Sequence, residues 1–198
     1  AYNEEKTIAK VVIQTQKYVD KVIVCDDGSS DLTGEIAERL GAEVIKHAQH
    51  KGYGAALKKL FKKAIEEKAE AVVTLDADEQ HNPNEIPRLV KSILAEEADI
   101  VIGSRFLGKS KERETPIYRE IGIKALTELA KMASRLGITD AQSGFRAYSK
   151  KAIESIAIIE DGMGAGTEIL LKANKEGIRI AEVPISIKYK GLDSTSYN

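Results

Sequence analysis

A chain of 198 residues, 42% hydrophobic and with a formal net charge of −1, has room for one α/β domain with a sizeable core. The balanced charge excludes binding to nucleic acid through a global positive field, and no run reaches the roughly 20 apolar residues that span a bilayer. One cysteine, Cys25, excludes an intramolecular disulfide and fits a reducing, cytoplasmic compartment.

Apolar residues at Ile8, Val11, Val12 and Val19 give residues 4–18 the period of an amphipathic helix. Residues 21–25 (KVIVC) then read as a short buried strand, which makes Cys25 an inert interior thiol. Residues 31–40 are helical, with Gly41 as the stop. Strand 42–46, helix 53–67, strand 70–75, helix 84–96 and strand 98–103 follow. Strands separated by helices imply right-handed crossovers and a mainly parallel sheet flanked by helices on both faces. A doubly wound sheet ordinarily opens with a strand, yet here a helix pattern begins almost at once. The first residue is not Met, and Tyr197-Asn198 carries no helix stop. Both termini therefore read as cut, and a membrane segment lost with them stays open.

After Arg105 the rhythm changes. Residues 107–116 are polar and proline-terminated, a loop pattern, and 117–136 read as a long amphipathic helix. A shorter helix spans 164–176. Residues 178–189 (IRIAEVPISIKY) alternate like an edge strand or an antiparallel pair broken at Pro184. No repeat interrupts the pattern, so residues 1–198 form a single domain, with a nucleotide half over 1–105 and an acceptor half over 106–198. Lys58, Lys59, Lys62 and Lys63 fall on one face of the 53–67 helix. That stripe is either a solvated face or a peripheral contact with acidic lipid at the cytoplasmic side of a membrane.

The chemistry concentrates where strands end. The strand 71–75 runs into Asp76-Ala77-Asp78-Glu79-Gln80, at the carboxyl edge where open α/β sheets bind ligands. In extended chain, positions 76, 78 and 80 point to one side. Two carboxylates and an amide oxygen there suit Mg²⁺ or Mn²⁺ rather than zinc; the alternative is a solvated acidic turn. A second acidic pair, Asp26-Asp27, leaves another strand. Asp26 is suited to the N–H edge of a nucleobase, and Asp27 to a ribose hydroxyl or the metal region. Gly52 and Gly54 in HKGYGAAL allow close backbone approach at a helix start with unpaired amides, and Lys51 adds a charge. Arg105 in GSRF, Arg119 at the long helix and Arg146 in SGFRAY are candidate phosphate forks. His47, His50 and His81 lack metal-ligand spacing, and neither a GxSxG elbow nor a Walker-type loop occurs.

Taken in order, AYNEE, VCDDGSSDLT, KGYGAAL, DADEQHNP, GSRF, DAQSGFRAY and EVPI resemble glycosyltransferase family 2 of the GT-A fold. Within it the chain looks most like the polyprenyl-phosphate (dolichol-phosphate) hexose synthases. The resemblance implies that Ala1, Tyr2, Asn3 and Glu4 bind the nucleotide, that Asp26 reads the base, and that Asp76 and Asp78, with Ala77 between them, form the DxD metal motif. It places Gln80 as a third ligand and Arg105, Arg119 and Arg146 toward phosphate or acceptor. The chain departs from the pattern at Glu79, where the lipid branch more often carries an apolar residue. The implied reaction is an inverting, metal-dependent transfer of a hexose from a GDP- or UDP-hexose donor to a polyprenyl phosphate. A saccharide or other soluble acceptor is the close alternative, and a nucleotidyltransferase using the same carboxylates is a further one. A hydroxyl acceptor needs a general base, for which Asp140 is the first candidate and Glu168 the second; an acceptor phosphate needs none.

Overall fold

The computed structural model describes residues 1–107 and 137–188. The expected loop over 107–116 and helix over 117–136, Arg119 included, lie outside the described residues, apart from Leu107. Strand β1 (Ile23–Asp26) pairs in parallel with β2 (Glu43–Lys46). A four-stranded sheet follows the order β3 (Ala71–Thr74), β5 (Arg146–Ser149), β4 (Ile100–Ser104), β6 (Ile180–Pro184). β3, β4 and β6 run in one direction, and β5 is inserted antiparallel between β3 and β4. The α/β class with parallel crossovers holds, with this one reversed strand.

The helices are α1 (Ile8–Thr15), α2 (Thr33–Arg39), α3 (Tyr53–Glu66), α4 (Ile86–Leu94), α5 (Lys150–Ser155) and α6 (Ala165–Lys175). A short 3₁₀ turn, Pro83–Glu85, leads into α4 and is capped by the Asn82 side chain. Gly41 takes the left-handed conformation (φ 84°) that ends α2.

Alternation along the strands sorts the core into two faces. Ile100, Ile102 and Tyr148 pack with Leu57 and Phe61 of α3 and Ile169 and Leu170 of α6. Val101 and Ala147 face the other way, toward Ile86, Leu89 and Ile93 of α4. Helices thus cover both faces of the sheet. Burying an aliphatic side chain such as Leu89, which is 0% exposed, contributes about 2 kcal/mol. A third cluster joins Ile8 and Val12 of α1 to Val24, and Ala1 and Ala77 pack against it. That contact brings the turn after β3 against the end of β1.

Of the two readings for the 178–189 segment, the edge strand holds: β6 runs parallel on β4 and ends at Pro184. Beyond it, Ile187 makes only an isolated antiparallel bridge to His81. β5 and α5 carry no expectation from the sequence, because Arg146 interrupts what would read as a buried strand. Among the described residues no helix is long and apolar enough to cross a membrane.

Candidate active site

The two acidic strand ends meet through the opening segment of the chain. Asp27 N donates to Ala1 O (2.9 Å), so residue 1 lies alongside the end of β1. Asn3, held at φ 54°, donates from its amide to Ser29 Oγ (3.0 Å) and accepts from Ser30 N (2.9 Å) through its side chain. Ser29 N in turn donates to Asp26 Oδ1 (3.0 Å). Glu4 N donates to Thr33 Oγ1 (2.7 Å). The Glu4 carboxyl is raised from its ordinary pKa by burial and by the nearby charge of Asp78, against the hydrogen bond from Thr7. Glu4 therefore touches the β1 side through its backbone and faces Asp78 through its side chain. Lys10 of α1 pairs with Glu79 at 2.7 Å and fastens the DxD turn from outside.

Asp76 is the more open acid, with its side chain 45% exposed. Asp78 is pushed above the ordinary carboxylate range, first by burial and then by the charge of Asp76. A buried carboxylate held beside a like charge suits a divalent cation, which removes that repulsion. Among the described residues no three His, Cys, Asp or Glu side chains form a closed cage. A cation held by Asp76 and Asp78 would draw its further oxygens from a ligand, as Mg²⁺ and Mn²⁺ do beside phosphates. The residues fit the metal.

The alternation argument for Gln80 does not hold. β3 ends at Thr74, and Glu79 adopts φ 61°, so 76–80 is a turn and not extended chain. Gln80 N donates to Asp78 Oδ1 (3.0 Å), and its carbonyl accepts from Lys188 N (3.1 Å).

Asp27 is 4% exposed, and its oxygens are occupied. It accepts from Lys51 N (3.0 Å) and Gly52 N (2.8 Å), with His47 Nδ1 at 2.6 Å and His50 Nδ1 at 2.9 Å. Burial would raise this carboxyl, yet the bonds from His47 and the two amides outweigh it and hold it low. Asp27 is therefore a clamp on the 47–52 loop rather than a ribose contact. One amide of the first turn of α3 is committed as well, since Ala55 N donates to Asp161 O (3.0 Å). What this loop presents outward is the exposed Lys51 and the His50 ring, which lies 4.4 Å from the ring of Tyr2.

On the acceptor side the charged groups are turned inward. Asp140, 0% exposed, receives Arg105 Nε on Oδ2 and Nη2 on Oδ1, both at 2.6 Å. Arg105 N adds a third bond at 3.1 Å. Both oxygens being engaged, Asp140 positions Arg105 and is not a free base. Glu168 accepts from Ile159 N (3.0 Å) and Glu160 N (2.9 Å) and pairs with Lys172 (2.7 Å), which removes the second base candidate. Arg146 is 1% exposed and donates to three main-chain carbonyls: Ser143 (2.8 Å), Gly166 (2.9 Å) and Ala141 (2.7 Å). It is an internal brace and not a phosphate fork. The lysine stripe is mostly paired: Lys58 with Asp161 (2.5 Å), Lys62 with Glu66 (3.9 Å), and Lys63 with Glu43 (2.7 Å) and Glu67 (2.8 Å).

Two residues of the site escape sequence reasoning. His81 is 6% exposed, with Nδ1 3.4 Å from Asp76 N and its ring 5.2 Å from Phe145. It supports the DxD turn, and its signal was its position five residues after Asp76. Glu182 of β6 accepts from Thr139 N (2.8 Å) and Asp140 N (3.0 Å), and so fixes the residue that fixes Arg105. The motif EVPI contained it, without a hint of that role.

Paired acids at the carboxyl edge of the sheet, reached by an opening segment that ties them together, define a nucleotide-sugar transferase domain of the GT-A class. The profile described as Glycosyl transferase family 2 matches residues 1–157. A UDP-N-acetylglucosamine–dolichyl-phosphate N-acetylglucosaminyltransferase from Methanococcus voltae is 34% identical, across 96% of this chain and 83% of the relative. A dolichyl-phosphate hexose transferase from Haloferax volcanii is 32% identical, across 93% and 78% respectively. Glucosyl-3-phosphoglycerate synthase from Mycobacterium tuberculosis, solved with Mn²⁺, uridine diphosphate and phosphoglyceric acid, superposes with a TM-score of 0.77 at 26% identity, over 97% of this chain and 69% of that one. The chain belongs to glycosyl transferase family 2. It is a glycosyltransferase, which removes the nucleotidyltransferase alternative.

Proposed function

We infer that the chain moves a hexose from a GDP- or UDP-linked donor to a polyprenyl (dolichyl) phosphate. The transfer is a single inverting displacement, carried out at the cytoplasmic face of a membrane with Mg²⁺ or Mn²⁺. The observation that carries this reading is the opening segment, which bonds to the end of β1 through Ala1 and to the start of α2 through Glu4 while Lys10 pairs with Glu79 in the turn after β3. One ligand can therefore span the base-reading and diphosphate-holding ends. Ala1, Tyr2, Asn3 and Asp26 line the nucleoside side, with Lys51 at its rim. Asp76 and Asp78 would hold the cation, with Ala77 seating their turn on the core and Gln80 beside them. When bound, the cation stabilises the negative charge that grows on the departing diphosphate. Arg105 orients the acceptor phosphate, and Asp140 fixes the guanidinium so that little side-chain freedom is lost on binding.

The acceptor class is supported by what the acidic side chains already do. Asp140 and Glu168 spend their oxygens on Arg105 and on main-chain amides. A sugar hydroxyl would need one of them as base, whereas a phosphate oxygen is already an anion near neutral pH. The names of the Methanococcus and Haloferax relatives support dolichyl phosphate in particular. A second reading, a small soluble phosphorylated acceptor, is favoured by the phosphoglyceric acid in the structural neighbour. Both readings are tested by incubating the protein with radiolabelled GDP- and UDP-hexoses, Mn²⁺, and either a short polyprenyl phosphate or phosphoglycerate. Label entering the organic phase supports the first reading. Label in a water-soluble phosphorylated product supports the second. Label transferred only to uncharged saccharides overturns both.

A further inference from the structure

The turn that carries Asp76 lies against a wall built from the 141–146 segment. A Cβ on Gly144 would lie 2.8 Å from Asp76 Oδ2, 3.1 Å from Oδ1 and 3.2 Å from Cγ. The backbone of Gly144 is not in the left-handed region, so glycine is required there for space alone. The wall is anchored on both sides. Thr74, the last residue of β3, donates from Oγ1 to Gly144 O (2.9 Å). Arg146 donates from Nε to Ser143 O, from Nη2 to Ala141 O and from Nη1 to Gly166 O. One guanidinium thus closes the 141–143 loop on itself and ties it to the start of α6. A Cβ on Gly166 would lie 3.2 Å from Arg146 Nη2, so α6 is packed tightly against the brace.

A rigid cation buried on three carbonyls is costly unless its geometry is needed. The planar fork of Arg matches several fixed acceptors at once, whereas the ammonium of Lys reaches fewer. The wall it holds meets the metal-binding turn at Gly144, against the carboxylate of Asp76. We propose that Gly144 is the backstop that sets where the Asp76 carboxylate stands, and that Arg146 is the positioning residue that holds this backstop in place. The inference rests on the reading of Asp76 and Asp78 as cation ligands. It assigns to SGFR a role in metal geometry in place of contact with phosphate. Partners that orient metal ligands typically matter about 10–100-fold in affinity.

The test is a Mn²⁺ titration followed by electron paramagnetic resonance in the presence of UDP or GDP. It is run on the wild type, Gly144→Ala and Arg146→Lys, with the melting temperature of each recorded. A methyl group on Gly144 meets the free end of a side chain, so Gly144→Ala displaces Asp76 and leaves the core alone. The expected result is a wild type that binds Mn²⁺ and a Gly144→Ala variant that melts as wild type yet binds Mn²⁺ about tenfold more weakly. Arg146→Lys is expected to shift Mn²⁺ affinity in the same direction, with nucleotide affinity in EDTA unchanged in both variants. Wild-type Mn²⁺ affinity in a folded Gly144→Ala variant overturns the backstop while leaving the metal reading intact. A wild type that binds no Mn²⁺ with either nucleotide overturns the metal reading and the backstop with it. Arg146→Lys that loses stability without weakening Mn²⁺ reduces Arg146 to a structural brace and overturns its positioning role.

Discussion

The donor side and the acceptor side both carry charged residues in their motifs, yet they use them in different ways. At the end of β3, Asp76 stays open, and Asp78 is pressed against a like charge that the nearby His81 offsets only in part. Across the site, Asp140, Arg146 and Glu182 are buried or bonded to fixed partners within the fold. A site that binds a diphosphate must leave its charges dissatisfied, because a paired carboxylate has nothing left to offer a ligand. A surface that only orients a phosphate already carrying charge can have its groups locked beforehand. The difference teaches that motif charges divide into those that await a ligand and those that hold the architecture.

Three variants or conditions break this comparison, in order of expected effect. Asp140→Ala removes the buried carboxylate that accepts from the partly buried Arg105 fork and is expected to lower stability by about 3 kcal/mol, read as a large drop in urea midpoint. A drop below about 1 kcal/mol, the scale of a surface pair, would show that the acceptor side is not locked. Asp27→Asn weakens the clamp on His47, His50 and the Lys51 and Gly52 amides. It should lower stability by about 2 kcal/mol and raise the KM for donor while leaving kcat within about twofold.

The third is an acid titration. The hydrogen-bonded Arg179 holds Asp99 down to about 2. A carboxyl whose folded pKa is depressed adds stability above its unfolded pKa and loses it as pH falls through the folded value. Stability should therefore decline between about pH 4 and pH 2. Asp99→Asn should flatten that decline by about 1 kcal/mol, a figure reduced for solvent screening at the half-exposed Arg179. A decline of the same size in the variant would place the acid sensitivity elsewhere, with Asp27 the next candidate.

Much of the fold was legible because the periods are clean. Strands such as IVCD and AVVT are short apolar runs between turns, and α3 and α4 each bury one stripe. β5 was not legible, since a strand reading RAYS puts a guanidinium in the interior, where only three carbonyls from two other segments can satisfy it. Ser149 capping Ala152 N was a usable signal for α5. In the site, the DxD pair and Asp26 were singled out from strand ends, since ligand sites at those ends follow from topology. The roles of Asp27, Asp140 and Arg146 were not, because no local pattern tells a charge facing a ligand from one facing amides and carbonyls brought in from a distant segment. Gln80 failed for a local reason: the positive φ at Glu79 turned the chain before the alternation reached it.

The bridging of a donor diphosphate to Asp76 and Asp78 by one cation is tested most directly by calorimetric titration of UDP and GDP, with Mn²⁺ and with EDTA, into wild type and Asp78→Ala. At least one nucleotide should bind the wild type about tenfold or more tightly with Mn²⁺, and Asp78→Ala should lose that gain while keeping its EDTA affinity and its fold. Equal nucleotide affinities with and without Mn²⁺ in the wild type, or a metal gain that survives in Asp78→Ala, would contradict the account.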